Sequence, residues 1–429
     1  MSARNRELFG LIPAALLVTA GFAGVFIQRQ NVLSNVSLTY GAIFLGLCVA
    51  AHILIRLTLP HADPYMFPLV ALLASFGIVM VYRISATDAR QQAQWFVLGL
   101  ILFGVTIVAF RDYRKLEQYR YVIVLVSLGL LLLPRVPGIG DQVNGAYLEI
   151  KLPGGLTFQP TEFSKVGLVV FLASYLRDTR QVMVMGARRV LGVTLPPLKH
   201  FGPVLVIWGV AMVTLVLLSD IGSSLMFYGA LLSMLYVATG RLSFVVIGLL
   251  AFGLGAWFLG THIPHVHARF EDWQHPFNPR LYGAQGGSFQ VANGNFAMAA
   301  GGLFGQGWGQ AILPLIPFPQ TDMIYAVITN ELGLFGATAV LLAYLLFVYR
   351  GFKAATMSRD SFSTLLAAGL SAVFALQVFV IVGGVTRVIP LTGVTLPFIS
   401  YGGASIVANF VLLALLLLVS DRARRPTTR

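Results

Sequence analysis

The sequence is short of charge and nearly without cysteine. Charged residues make up 10% of its 429 positions, against about 25% in an ordinary soluble domain. With 57% hydrophobic residues and a mean hydropathy of +0.82, this excludes a water-soluble globule and a disordered chain. Cys48 is the lone thiol and lies in an apolar run, so neither a disulfide framework nor a cysteine metal site is available. What is plentiful is apolar sequence, with 44 glycines and 20 prolines in the chain. Those suit membrane helices that pack closely and break at chosen places. The composition is that of an all-α integral membrane protein.

A bilayer crossing needs about 20 mostly apolar residues. Such segments occur near 8–28, 39–60, 66–82, 93–110, 121–134, 165–176, 201–218, 223–239, 243–260, 322–349, 363–384 and 398–420, which predicts about twelve spans. Segments 121–134 and 165–176 are short and need flanking residues to reach across. The first segment is too long for a signal-peptide core and has no small-residue cleavage pattern, so it is expected to be retained. Lys and Arg gather on cytoplasmic loops. With both termini in the cytoplasm, the inner side receives 20 of the 29 basic and 7 of the 16 acidic residues. The whole net charge of +13 then sits on one face. The basic loops are topology signals, and no nucleic-acid partner is expected.

Three loops fall on the outer face and are long enough to carry a site: 135–164, 261–321 and 385–397. The second, between the ninth and tenth spans, holds His262, His265, His267, His275 and the paired carboxylates Glu271 and Asp272, then turns glycine-rich from Gly283 to Gly309. A loop this long is usually functional. Its glycines leave two readings open, a backbone cradle for a phosphate or a flexible re-entrant connector. Its histidines leave two as well, a divalent cation site or a solvated loop. Ionisable residues in apolar spans face a cavity or a partner. Glu162 and Lys165 share a helix face, Asp322 opens a span and Glu331 lies inside it. Either internal ion pairs or a polar cavity for a charged head group explains them. In 385–397 two prolines bracket a broken helix, and Arg387, its sole cation, suits a phosphate. Residue chemistry alone points to a polytopic protein whose outward cavity handles an amphiphilic anion.

Several ordered stretches carry a more specific likeness. Phe158-Gln159-Pro160-Thr161-Glu162-Phe163-Ser164-Lys165 is similar to an "FQPSE..K" motif. Ser219 to Ser224 resembles "PDxGT/S", and Gly301 to Gly307 resembles "GGLxGxG". Thr321 to Ala326 with Asn330 to Gly336 resembles "HTDFIFA…EELGxxG", and Pro390 to Ser405, which includes Ser400, resembles "PxTGxxLPFxSYGGSS". Gln92 and Trp95 match a further pair. These are the motifs of the SEDS family, the shape, elongation, division and sporulation proteins typified by FtsW and RodA.

The resemblance implies a ten-helix core over 66–420, two extra N-terminal helices in 1–65 and a basic cytoplasmic tail at 421–429. It implies a peptidoglycan glycosyltransferase in the bacterial plasma membrane that polymerises lipid II at the outer face, in division or elongation, beside a class B penicillin-binding protein. Such a reaction needs a carboxylate base for the attacking hydroxyl. It also needs cations, a divalent metal or helix N-termini for the departing pyrophosphate. The chain departs from the family's pattern in three places. The expected Asp-Pro of the long loop is Asn278-Pro279, Asn144-Gly145-Ala146-Tyr147-Leu148 lacks the Arg and Trp of "GAxRW", and Ser219 replaces a proline. An amide cannot act as a base, so the role is expected to move to Asp272 or Glu271. Glu162, Lys165, Asp322, Glu331, Arg387, Ser400 and Asn278 are the expected cavity residues. Two other roles fit the family, a non-catalytic lipid II-binding scaffold and a lipid II flippase. The clustering of Glu162, Asp220, Glu271, Asp272 and Asp322 outside argues against the flippase.

Overall fold

Local chemistry sets several helix boundaries. The Ser85 hydroxyl accepts the Asp88 N–H at 3.3 Å, and the carboxylates of Asp220 and Asp360 accept those of Ser223 and Ser363 at 2.9 and 3.0 Å, three N-caps that start three helices. The computed structural model describes residues 2–30, 35–143, 146–151, 157–185, 188–190, 193–195, 198–284 and 286–426. Asn144 and Gly145 lie outside the described residues.

The helices in chain order are α1 (Ala3–Gly10), α2 (Ile12–Gln30), α3 (Asn35–Thr58), α4 (Met66–Ile84), α5 (Ala86–Ala109), α6 (Arg120–Leu132), α7 (Thr161–Met185), α8 (Leu198–Leu217), α9 (Ile221–Thr239), α10 (Leu242–His262), α11 (Pro264–Gln274), α12 (Pro279–Gly283), α13 (Phe289–Gly301), α14 (Ile324–Met357), α15 (Ser361–Val385) and α16 (Gly403–Arg424). Among the described residues nine helical stretches are long and apolar enough to cross a membrane, α1 and α2 counting as one. The other three predicted positions hold α6, α7 and α8.

Two segments expected as loops carry strands. An antiparallel sheet joins β1 (Gly140–Val143), β2 (Ala146–Lys151) and β3 (Thr157–Phe158), and a hairpin joins β4 (Arg188–Val190) and β5 (Val193–Leu195). The long loop 261–321 is folded too, into α11, α12 and α13. The last span begins at Gly403 rather than 398, because Phe398 takes a left-handed φ of 64° and turns the chain first.

α15 and α16 are the buried centre, whereas α10 turns nearly all its surface outward. Phe374, Phe398 and Phe410 interlock there, with ring centroids 6.2 and 5.2 Å apart. α4 reaches this cluster through Gly77, where a Cβ would stand 2.3 Å from the Phe398 carbonyl oxygen. Ion pairs gather at one end of the bundle. Asp63, fully buried, takes Arg424 and, at 3.6 Å, Arg350. Asp112 takes Arg422 at 3.6 Å, Arg120 takes Asp178 and Arg177 takes Glu117. The loops expected outside lie at the opposite end.

One charge pair is sunk in the interior. Lys165, 2% exposed, places its Nζ 2.5 Å from Glu162 Oε2 and 2.6 Å from Gln377 Oε1. Gln377 in turn donates to the Thr395 carbonyl at 3.1 Å and to Ser405 Oγ at 3.2 Å. One ammonium thereby ties α7 to α15, the broken segment and α16. Lys165→Met strands the Glu162 carboxylate. The expected cost is about 3–5 kcal/mol, read as a lower thermal midpoint in detergent. Lys165→Met with Glu162→Gln is expected to recover most of it, and a double variant as unstable as the single would show that the pairing is not the cause.

Candidate functional site

α11 carries the chemistry at the loop end. Pro264 occupies its first turn, and Ile263 before it is extended, with φ −110° and ψ 113°, as the residue preceding a proline prefers. The new helix therefore breaks from α10 and lies over the bundle. Arg269 and Asp272, three residues apart, share its inward face. Glu271 faces solvent, half exposed, with His267 Nε2 3.5 Å away. The two adjacent carboxylates thus occupy different environments.

Arg269 donates to the Leu391 carbonyl at 2.6 Å and lies within electrostatic reach of Asp220, Asp272 and Asp322. Burial pushes Asp272 up to about 6, with Arg269 opposing and Glu271 adding to the rise. Burial likewise pushes Asp322 up to about 6, again against Arg269. Asp220 is raised by burial, and its Oδ2 has no hydrogen-bond partner among the described residues. A carboxylate in this range is ionised at neutral pH yet a stronger base than an ordinary one. Arg269 was not among the expected site residues. Its i, i+3 spacing to Asp272 was visible, but Asp220 and Asp322 reach it only through the fold.

Arg387 of the same segment also clasps α11. Its Nη2 donates to the Trp273 carbonyl at 3.1 Å, and Trp273 Nε1 donates to the Arg387 carbonyl at 2.9 Å. The guanidinium carbon lies 5.6 Å from the Phe277 ring centroid. Its left-handed φ of 61° is a strained conformation that these two bonds hold. Asn278 is exposed, and its side chain accepts the Arg280 N–H at 3.0 Å as the N-cap of α12. Aspartate would cap equally well.

Ser400 and Glu331 are each hydrogen-bonded to neighbouring main chain. Ser400, 2% exposed, accepts the Leu396 N–H at 2.9 Å and donates to the Thr321 carbonyl at 2.8 Å. Glu331 meets Arg83 at 2.9 Å and accepts the Gly309 N–H at 3.0 Å. Arg83 and Gln28 both donate to the Gly309 carbonyl, at 2.7 and 2.9 Å. The glycine-rich turn is docked rather than loose. The N–H groups of Gln306 and Gly307 donate to the carbonyls of Asn330 and Glu331 at 2.9 and 3.1 Å, so these donors serve α14 and not a phosphate. This docking needs Gly333, whose φ of 67° breaks α14, and Gly305, where a Cβ would stand 2.1 Å from the Glu331 carbonyl oxygen. Among the described residues no group of three His, Cys, Asp or Glu is placed to hold a metal ion. His262 Nδ1 is instead hydrogen-bonded to the Phe258 carbonyl at 2.9 Å.

The family model FTSW_RODA_SPOVE, described as "Cell cycle protein", matches residues 64–425. The chain is 39% identical to "Peptidoglycan glycosyltransferase RodA" of Mycobacterium tuberculosis strain ATCC 25618 / H37Rv, over 99% of this chain and 92% of that one. It is 32% identical to "Stage V sporulation protein E" of Bacillus subtilis strain 168, over 82% and 95%. Its backbone is similar to a chain in a solved structure described as "Structural coordination of polymerization and crosslinking by a peptidoglycan synthase complex", with TM-score 0.69 and 26% identity over 85% of this chain and 98% of that one. The motifs, the helical bundle and these likenesses agree, and the chain belongs to the FtsW/RodA/SpoVE family.

Proposed function

We propose that this protein is a peptidoglycan glycosyltransferase that polymerises lipid II at the outer face of the plasma membrane, with both termini in the cytoplasm and a class B penicillin-binding protein as its partner. The core is residues 66–420, and the N-terminal pair within 1–65 is an addition. The M. tuberculosis relative, matched over 99% of this chain, supports counting that pair as shared with some members. The observation that carries the reading is Asp272, buried on α11 with its pKa pushed up to about 6 beside Arg269.

The chemistry follows from that arrangement. The 4-hydroxyl of one sugar attacks the anomeric carbon of another. A carbon–oxygen bond forms, the bond to the lipid pyrophosphate breaks, and the hydroxyl proton passes to Asp272. Arg269 and Arg387 supply positive charge for the departing diphosphate. Lys165 and Glu162 are held in their own pair and act as scaffold. Glu271 is solvated and secondary.

With lipid II and a class B penicillin-binding protein, Asp272→Asn is expected to lose at least about a hundredfold in strand synthesis, whereas Glu271→Gln stays within a few fold. Retained synthesis in Asp272→Asn would remove Asp272 as the base, whereas no strands from wild type together with synthesis gained in Asn278→Asp would favour a scaffold role for the natural protein. The rate is expected to rise with pH through about 6, where Asp272 ionises. Stability runs the other way. A raised folded-state pKa favours the protonated form, so the fold is stabilised below the unfolded value and loses that stabilisation as pH rises through about 6. At pH 7.5 Asp272→Asn is therefore expected to be more stable than wild type, by about 1 kcal/mol after solvent screening. A lower midpoint for this variant at that pH would contradict the assigned environment.

A further inference from the structure

A cavity of about 410 Å³ opens at the end of the bundle opposite α11, lined by Arg6, Arg350, Lys353 and Arg424 with Tyr65 and Met357. Its size is that of a small-ligand site. At that end Arg4, Arg120, Arg177, Arg422 and Arg425 each have a carboxylate partner, whereas the cavity gathers several cations into one concave space. Here four cations meet one carboxylate. Arg424 and Arg350 share the buried Asp63, with Arg350 also lying 4.2 Å over the Tyr65 ring. Arg6 and Lys353 have no ion-pair partner among the described residues.

The surroundings decide what kind of anion fits. α14 reaches the cavity along an outward apolar strip, Leu345, Leu346, Tyr349 and Phe352, which are 61, 53, 56 and 36% exposed. α1 leaves it with Phe9, 55% exposed. An apolar wall that ends in aromatic residues and then cations is the profile of a membrane–water boundary. The wall suits acyl chains, and the cavity suits a phosphate at the level of the head groups. A soluble anion would use the cavity alone and leave the wall without purpose.

We propose that this cavity binds the phosphate of an anionic phospholipid. The site is separate from the loop-end carboxylates and stands whether or not the polymerase reading holds. Arg350 and Arg424 fix the cavity through Asp63, and Arg6 and Lys353 provide the free charge that a phosphate neutralises.

The test uses the purified full chain in detergent, with lipid binding followed by native mass spectrometry and by the shift in thermal midpoint. The probes are phosphatidylglycerol, phosphatidylcholine and glycerol phosphate. Phosphatidylglycerol is expected to remain bound and to raise the midpoint, and phosphatidylcholine to do neither. At about 1 kcal/mol per cation, Arg6→Gln and Lys353→Gln are each expected to weaken phosphatidylglycerol about fivefold and the double variant about 25-fold. The single variants keep the test readable should the double fail to fold. Equal affinity in wild type and variants would overturn the proposal, as would equal retention of phosphatidylcholine. A midpoint shift with glycerol phosphate as large as with the lipid would also overturn it, in favour of a soluble phosphate.

Discussion

A charge inside an apolar bundle must meet its partner within the protein, because hydrocarbon offers none. The structure is organised by that constraint. Lys165 holds α7 against α15, and through Gln377 it reaches the broken segment and α16. Glu331 holds α14 against Arg83 of α4. Asp63 holds the turn before α4 against α14 and α16. Such pairs add little over an apolar replacement of the same shape, but they penalise every packing that separates them.

The loop-end site inherits its geometry from this frame. The chain from 387 to 391 is anchored between α15 and the turn at Ser400, and α11 hangs on it through Arg269, Trp273 and Arg387. A helix held at three points keeps its inward face inward. That is why Asp272 is desolvated while its neighbour Glu271 is wet, and why two adjacent carboxylates of the same chemistry differ as bases.

The apolar runs were legible because hydrophobic length is a strong signal, and helices stand at all twelve expected positions. The ends of α7 were not. Its polar first turn, with Glu162 and Lys165, looks too costly for a span until Gln377 is seen to share the charge. The helices of the long loop had local signals in Pro264 and in Asn278-Pro279, which the absence of a sustained apolar period obscured. Arg269 could be aligned with the family's loop arginine and spaced to Asp272 from the sequence, but its reach to Asp220 and Asp322 comes only from the fold. Asn278 drew attention as a missing acid, and its structural task, capping α12, is one that either residue performs. Glu331 and Ser400 stood out in the sequence, but their partners Arg83, Gly309 and Thr321 lie in other parts of the chain and come together only in the fold.

The meeting of the glycine turn with the break in α14 has a consequence of another kind. Main chain lies on main chain there, between Gly305 and the Glu331 carbonyl and between Gly333 and the Leu303 carbonyl. Such a joint cannot tell one side chain from another. What it demands of the gene is a vacancy, a codon for no Cβ, at two positions in regions otherwise distant in the chain. A change at either glycine finds no remedy at the other, since a second Cβ would only add a second clash.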